Sequence, residues 1–535
     1  MIRRVFLLIL LLPTPVAAAS HFPDIPPCAG HFIAHLLPHT TQARGEVVRF
    51  YESNGSGLGI NDLNNDGLLD IVLGNLDRAN TVLWNQGGLT FRAEQPPGMI
   101  GRTRAVALVD VDADGWRDIV LTTQLGAPSW WRQTGGSDGT REFHLTALPG
   151  VNVPAQTLAF FDVDADGDLD LATASYDAEL SRLMRDSFLF GGGAGVVYYE
   201  NHGGEYLPTR LAEESQALAI WLSDLDADGA VELIIGNDFR FPDQAWRFRD
   251  GAWTPAVPFA ATAYSTMSFD AGDLNNDGAL EFFAADMQPT QDDPATRRAW
   301  EFVFDDLERN PLPPGDLQIV ENLLQVQEGG IFVNRARDFG IPATGWTWSS
   351  KFGDLDQDGF LDLYAVNGMI AVELFGHLPE DALVEQNLAF RGEGGVRFVP
   401  APEWNLGGTA SGRGMSMGDL DNDGDLDIVV NNLNAPAVLY ENALCGGDSL
   451  QVELRHPGSG NPDGIGAILT LHTSSGVYMR TARALSGYLS GDPARVHFGF
   501  PRGSVLERLD IVWADGFRSS VVRFDDTPVL TVSRS

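Results

Sequence analysis

Nine residues, Asp419-Leu-Asp421-Asn-Asp423-Gly424-Asp-Leu-Asp427, set carboxylates at positions one, three, five and nine around a glycine at position six. Hard cations such as Ca²⁺ collect six to eight oxygens at about 2.3–2.6 Å, so alternate acidic side chains supply charge and the glycine supplies a sharp bend. The phrase occurs six more times, at Asp62-Asn64-Asp66-Gly67-Asp70, Asp110-Asp112-Asp114-Gly115-Asp118, Asp162-Asp164-Asp166-Gly167-Asp170, Asp224-Asp226-Asp228-Gly229-Glu232, Asp273-Asn275-Asp277-Gly278-Glu281 and Asp354-Asp356-Asp358-Gly359-Asp362. Without metal, three to five carboxylates would crowd each of seven turns against their mutual repulsion. The sequence therefore predicts up to seven bound Ca²⁺ ions.

The elements around the loops separate them from EF-hands, which need flanking helices and a bidentate Glu at position twelve. That position holds Leu73, Leu121, Thr173, Ile235, Ala284, Ala365 and Val430. The ninth residue is thus expected to close the shell, with a backbone carbonyl near position seven (Leu68, Trp116, Asp168, Ala230, Ala279, Phe360 or Asp425). Alternating apolar segments flank the loops, as in Gly57-Leu-Gly-Ile60 and Asp70-Ile-Val-Leu73, which predicts a hairpin around each. First aspartates fall 48, 52, 62, 49, 81 and 65 residues apart. The shorter intervals fit one four-stranded unit with its turns, the period of a propeller blade, and the longer ones imply insertions.

A third strand often ends in an aromatic residue and Asn, as at Trp84-Asn85, Tyr199-Glu-Asn201 and Tyr440-Glu-Asn442, before a Gly-rich turn. Insertions fall at 175–195, 288–325 and 370–391. The last two have helix-start character around Pro294 and around Leu378-Pro-Glu-Asp, from an early proline and acids. Gly191 to Gly195 precedes a strand rather than a helix, which argues against a phosphate cradle.

The 535 residues carry a formal net charge of -38. Twenty-eight of the 73 acidic residues lie inside the seven loops, so much of the acidity is internal and nucleic acid is excluded as a partner. Arg3, Arg4, the apolar run Val5 to Leu12 and Ala17-Ala-Ala19 read as a secretory signal, too short to span a bilayer. The only cysteines, Cys28 and Cys445, bracket the repeat array, and in an oxidising compartment they are expected to pair; two free thiols are the alternative.

These repeats resemble the FG-GAP or VCBS repeats of integrin-like β-propellers, whose acidic loops bind calcium. After the last repeat come Asn461-Pro-Asp463-Gly-Ile-Gly-Ala467, Ser486-Gly-Tyr488-Leu-Ser490, His497-Phe-Gly-Phe500 and Ile511-Val-Trp513-Ala-Asp-Gly516, an order similar to the ASPIC/UnbV domain that ends the cartilage acidic protein family. The expected fold is all-β: a signal peptide over 1–19, a seven-bladed β-propeller over 20–447 and a small β-sandwich over 448–535. His497 and Trp513 are expected to pack in that sandwich. Closing the ring requires a fourth strand for the seventh blade, assigned to His31–Leu36 or Glu46–Phe50.

The functional expectation is a secreted, calcium-binding adhesion or binding module for a glycan or protein, reading its ligand through the insertions. Trp130-Trp131 and Trp346-Thr-Trp348 are candidate stacking surfaces, with inner-strand packing the expectation for Trp346 and Trp348. The alternative is a calcium-stabilised polysaccharide lyase or hydrolase. The sequence shows no Gly-x-Ser-x-Gly elbow, His-Glu-x-x-His or Cys-x-x-Cys, and no nucleotide fingerprint in context.

Overall fold

The structure, a computed structural model, describes residues 28–123, 125–135, 141–179, 194–238, 241–524, 527 and 529–534. The expected signal segment and most of the 175–195 insertion lie outside them. Among the described residues, antiparallel four-strand units follow one another, each with an acidic loop in its first hairpin; the first two are joined into one larger sheet, the sixth gains the short strand Met287–Gln288, and the last borrows its outer strand from the N-terminus. In the first sheet Leu58–Asn61, Asp70–Leu73, Thr81–Asn85 and Phe91–Glu94 pair in succession. The innermost strands touch from sheet to sheet, and the last, Gly412–Gly418, returns to Leu58–Asn61. The product is a propeller-like ring.

Inner strands are apolar on both faces because each sheet is sandwiched between two others. Apolar clusters accordingly span neighbouring sheets: Leu58, Ile60, Ile71 and Leu83 of the first pack on Leu420, Val429 and Leu439 of the seventh. Trp130 and Trp131 are consumed in the same way, buried in two different clusters, and offer no face to a sugar. Trp346 and Trp348 are buried as well.

The seventh sheet takes its outermost strand from the N-terminal segment, as Ile33–Thr40 pairs antiparallel with Pro436–Glu441. The first of the two expected segments therefore closes the ring; Glu46–Phe50 instead leads into a one-turn helix at Glu52–Asn54. Cys28 and Cys445 are disulfide-bonded with Cα atoms 5.4 Å apart.

The C-terminal residues build two further sheets, one of Asp448–Arg455, Arg495–Phe500 and Val529–Ser533, the other of Ile468–Thr473, Val477–Thr481, Leu506–Val512 and Arg518–Val521. One core containing Val452, Leu469, Phe498, Ile511 and Trp513 lies between them, as in a sandwich. A small hairpin, Leu485–Ser486 with Ser490–Gly491, leaves this sandwich and enters the ring. There Gly491 pairs with Gly59 and Ser490 with Val106, so the hairpin bridges the first and second sheets. Tyr488 at its tip is fully buried, donates to the Asn54 carbonyl at 2.8 Å and packs against Trp348. Gly57 has to be glycine: a Cβ there would meet the Leu489 carbonyl oxygen at 1.7 Å.

Between the 288–325 insertion's ends, Asp293 caps a helix at Pro294–Ala299, accepting from Ala295 N and Thr296 N, and a second helix spans Glu301–Arg309. The helix expected after Leu378 is absent. Pro379–Asp381 is a single 3₁₀ turn in which Glu380 and Asp381 have φ of +57° and +55°, and Ala382–Leu383 then pairs with Met369–Ile370. Left-handed backbone at two successive residues ends the turn before a helix can propagate.

Candidate metal centres on the ring

Six of the seven loops fold by one full pattern, and in the third Asp162 accepts from Gly167 N alone. Where position one is Asp62, its two oxygens accept from Asp66 N at 3.2 Å and Gly67 N at 2.9 Å. Asp419 does the same with Asp423 N at 3.1 Å and Gly424 N at 2.9 Å. Position five accepts from the amide of position seven, as Asp358 does from Phe360 N at 2.8 Å. The ninth carboxylate accepts from the amide of position two in every loop, at Leu63, Val111, Val163, Leu225, Leu274, Leu355 and Leu420. Each of these bonds takes up one lone pair of a carboxylate oxygen that has two.

Position four was not singled out in the sequence, yet it takes a left-handed conformation in all seven loops: Asn65, Ala113, Ala165, Ala227, Asn276, Gln357 and Asn422. Alanine has no side-chain hydrogen bond to offset the clash of that backbone. Replacing Ala113, Ala165 or Ala227 by Gly is expected to stabilise the protein by about 0.5–1 kcal/mol each, read as a shift in urea midpoint.

The third strand's terminal Asn also gains a role. Asn442 N donates to Asp427 at 2.9 Å while its side-chain amide reaches the Leu355 carbonyl of the sixth sheet's loop at 2.8 Å. Asn85 reaches Leu420 O at 2.6 Å and Gln133 reaches Leu63 O at 2.6 Å in the same sense. Each staple ties a loop to the one before it. Asn442→Ala strands the Leu355 and Leu426 carbonyls and is expected to cost about 1–3 kcal/mol in urea unfolding.

In five loops three carboxylates converge with ligand atoms within 4.8 Å of one another: Asp110, Asp112 and Asp118; Asp162, Asp164 and Asp166; Asp224, Asp226 and Glu232; Asp354, Asp356 and Asp362; Asp419, Asp421 and Asp427. Asp114, Asp170, Asp228, Asp358 and Asp423 are not members of these groups. The loops with Asn at position three, at Asp62-Asp66-Asp70 and Asp273-Asp277-Glu281, form no such carboxylate group; there Asn64 and Asn275 each present an amide oxygen held by the amide of position five at 2.9 Å. The donor set fits a hard cation. Asp112 Oδ1, Asp162 Oδ1 and Asp356 Oδ1 are buried without a hydrogen-bond partner, as are Asp168 Oδ1 and Asp425 Oδ1 at position seven. Burial pushes the carboxyls up, Asp70 to about 7 and Asp118 and Asp354 to about 8, while Asp362 and Asp427 rise well above their ordinary range. A group of such carboxylates stays ionised only with a cation among them.

The C-terminal sandwich sits on these loops. Arg117 forms a two-bonded ion pair with Asp463 at 2.8 and 2.9 Å and donates to the Asp62 carbonyl, giving the Asn461-Pro-Asp463-Gly motif an anchoring role. Arg495 reaches Gly67 O at 3.1 Å, Ser459 reaches Gly167 O at 2.6 Å, and Gln451 hydrogen-bonds Asp419. His497 faces the Gly424 carbonyl at 3.0 Å, so it contacts the seventh loop as well as packing, whereas Trp513 packs as expected. Lys351, the only lysine of the chain, is buried at this joint against Asp492.

Gly-x-Ser-x-Gly spacing does occur in the sequence, at Gly135-Gly-Ser137-Asp-Gly139, most of which lies outside the described residues, and at Gly414-Met-Ser416-Met-Gly418. The second lies within the strand Gly412–Gly418, and the buried Ser416 hydroxyl donates to Gly491 O at 2.9 Å, so no strand-to-helix elbow presents it.

Ring and loops together define a propeller-like repeat protein. FG-GAP-like repeats match residues 62–121, 110–173, 186–284 and 382–430, and ASPIC and UnbV matches 457–532. The chain is therefore an FG-GAP-repeat protein ending in an ASPIC and UnbV domain. No curated protein matches it. Among solved structures it is similar to BBS1N in complex with ARL6DN, with 10% identity, TM-score 0.37 and coverage of 72% of this chain and 93% of that one. It is also similar to the exotype rhamnogalacturonan lyase YesX, with 11% identity, TM-score 0.34 and coverage of 92% of each chain. YCF48 from Cyanidioschyzon merolae follows at 11% identity, TM-score 0.34, covering 72% of this chain and 96% of that one.

Proposed function

We propose that the chain is a secreted, calcium-binding seven-bladed propeller that presents a binding face to an extracellular glycan or protein. The observation that carries this is the sevenfold acidic loop, several of whose carboxylate oxygens are buried and partnerless. Side chains at positions one, three, five and nine of a loop would hold the ion, which supplies charge compensation and fixes the turn. The disulfide agrees with an oxidising compartment. Among the described residues no helix is long and apolar enough to cross a membrane.

The sandwich covers the loop side, which leaves the opposite side for a ligand. There the insertions lie between second and third strands and pack together: Trp300 meets Trp346 at 5.4 Å with the rings tilted by 40°, Trp346 meets Phe375 edge-on at 5.3 Å, and His377 bonds Arg298 O at 3.2 Å. Their surface exposes Phe302, Leu317 and Val384. A glycan array and an immobilised extracellular-matrix protein panel, probed with the full chain, test the reading. Saturable binding weakened by Phe302→Ala is expected. Release of sugar products without saturable binding would overturn it in favour of a carbohydrate-active enzyme.

A further inference from the structure

We propose that Arg247 is a built-in cation of the fourth loop, so that this loop takes no calcium and the chain binds at most six ions. The inference rests on the calcium reading above. Arg247 stands opposite Glu232 in the strand ladder. Its guanidinium reaches Glu232 Oε1 at 2.7 Å, Asp226 Oδ2 at 2.9 Å and Asp228 Oδ2 at 3.3 Å, which are positions nine, three and five of the loop. Arg249 adds a bond to Asp228 at 2.7 Å. One planar group with five donors thus engages the side chains a metal ion would need, and it stays charged at any physiological pH.

Two other sheets carry arginine at the equivalent ladder position and show what distinguishes Arg247. One residue past the Ile119–Trp131 pair, Arg132 reaches Asp112 and Asp114 but not Asp118, and Asp112 Oδ1 remains buried without a partner. One residue past Leu363–Phe390, Arg391 turns to Glu393 at 3.3 Å, and Asp356 Oδ1 is left partnerless. Among the described residues, no carboxylate oxygen of the fourth loop is in that condition. The setting also differs, because Asp224 and Asp226 border a largely apolar cavity of about 190 Å³ under the sandwich, walled by Phe161, Ile220, Leu280, Ile465 and Met479. A loop facing a void has less protein to hold it, and Arg247 provides the missing restraint.

Calcium bound per full chain, counted by equilibrium dialysis with atomic absorption, decides the matter. Asp226→Ala should leave the count unchanged, Asp421→Ala in the seventh loop should lower it by one, and Arg247→Met should raise it by one. A count lowered by Asp226→Ala would show an ion in the fourth loop and overturn the proposal while leaving the calcium reading intact. A folded Arg247→Met protein with an unchanged count would equally overturn it. If Arg247→Met does not fold, the two alanine variants still decide. A wild-type chain that takes up no calcium would instead remove the reading on which the proposal rests.

Discussion

Chelation of calcium should lower the melting temperature of the full chain by more than about 10 °C. At free calcium about ten times Kd, each occupied site adds roughly 1.4 kcal/mol by mass action, so six sites contribute about 8 kcal/mol. That is of the order of a whole domain's stability, about 5–15 kcal/mol. A shift below about 2 °C in calorimetry would rule out calcium as the structural ion. The pH dependence carries a second signature. Carboxyls whose folded pKa is raised, Asp70 to about 7, Asp118 and Asp354 to about 8, bind more protons folded than unfolded between about pH 4 and pH 8. Their contribution is fully present below the unfolded pKa and is lost as pH rises through the folded one. Calcium-free protein is therefore expected to melt higher at about pH 5 than at about pH 8. With calcium bound, protons compete for the same oxygens, and the order should reverse.

Loss of the N-terminal clasp should be as damaging. The strand Ile33–Thr40 covers the edge of Pro436–Glu441, which would otherwise present unpaired amides and carbonyls. Phe32 is fully buried among Trp404, Val438 and Tyr440, and buried His39 bonds Thr81 at 2.9 Å and Gly74 O at 3.1 Å in the first sheet. Removing residues 28–50 is expected to abolish recovery of folded protein. Phe32→Ala should cost about 3–5 kcal/mol. Cys28→Ser, which opens a loop of 417 residues, should cost about 2–4 kcal/mol. A deletion variant with an unchanged melting temperature would refute the clasp.

The loops were legible in the sequence because their chemistry fixes their spacing: ligands at one, three, five and nine and a bend at six admit few residue types. The paired cysteines were legible because only two exist. Arg247 was not, because its meeting with Glu232 depends on cross-strand register fifteen residues on. The hairpin around Tyr488 was hidden for a similar reason, since its partners Gly59 and Val106 lie 432 and 384 residues before Gly491 and Ser490 and pair with them parallel. Nor could the motif Ser486-Gly-Tyr488-Leu-Ser490 announce that it enters the ring; its residues are uncharged and suit any buried turn, and only the close approach at Gly57 shows where it goes. The helix expected after Leu378 failed because a proline and early acids suit a single turn as well as a helix start.

Burial of Lys351 against Asp492 has a chemical consequence for the whole surface. With no other lysine in the chain, no side-chain primary amine is exposed on the folded protein. Aldehydes, active esters and acyl-transferring cross-linking enzymes then have no lysine to modify, and tryptic cleavage of the exposed chain falls at arginine alone. Acylation at Lys351 becomes a timed reporter: it records the moment at which the sandwich lifts from the ring.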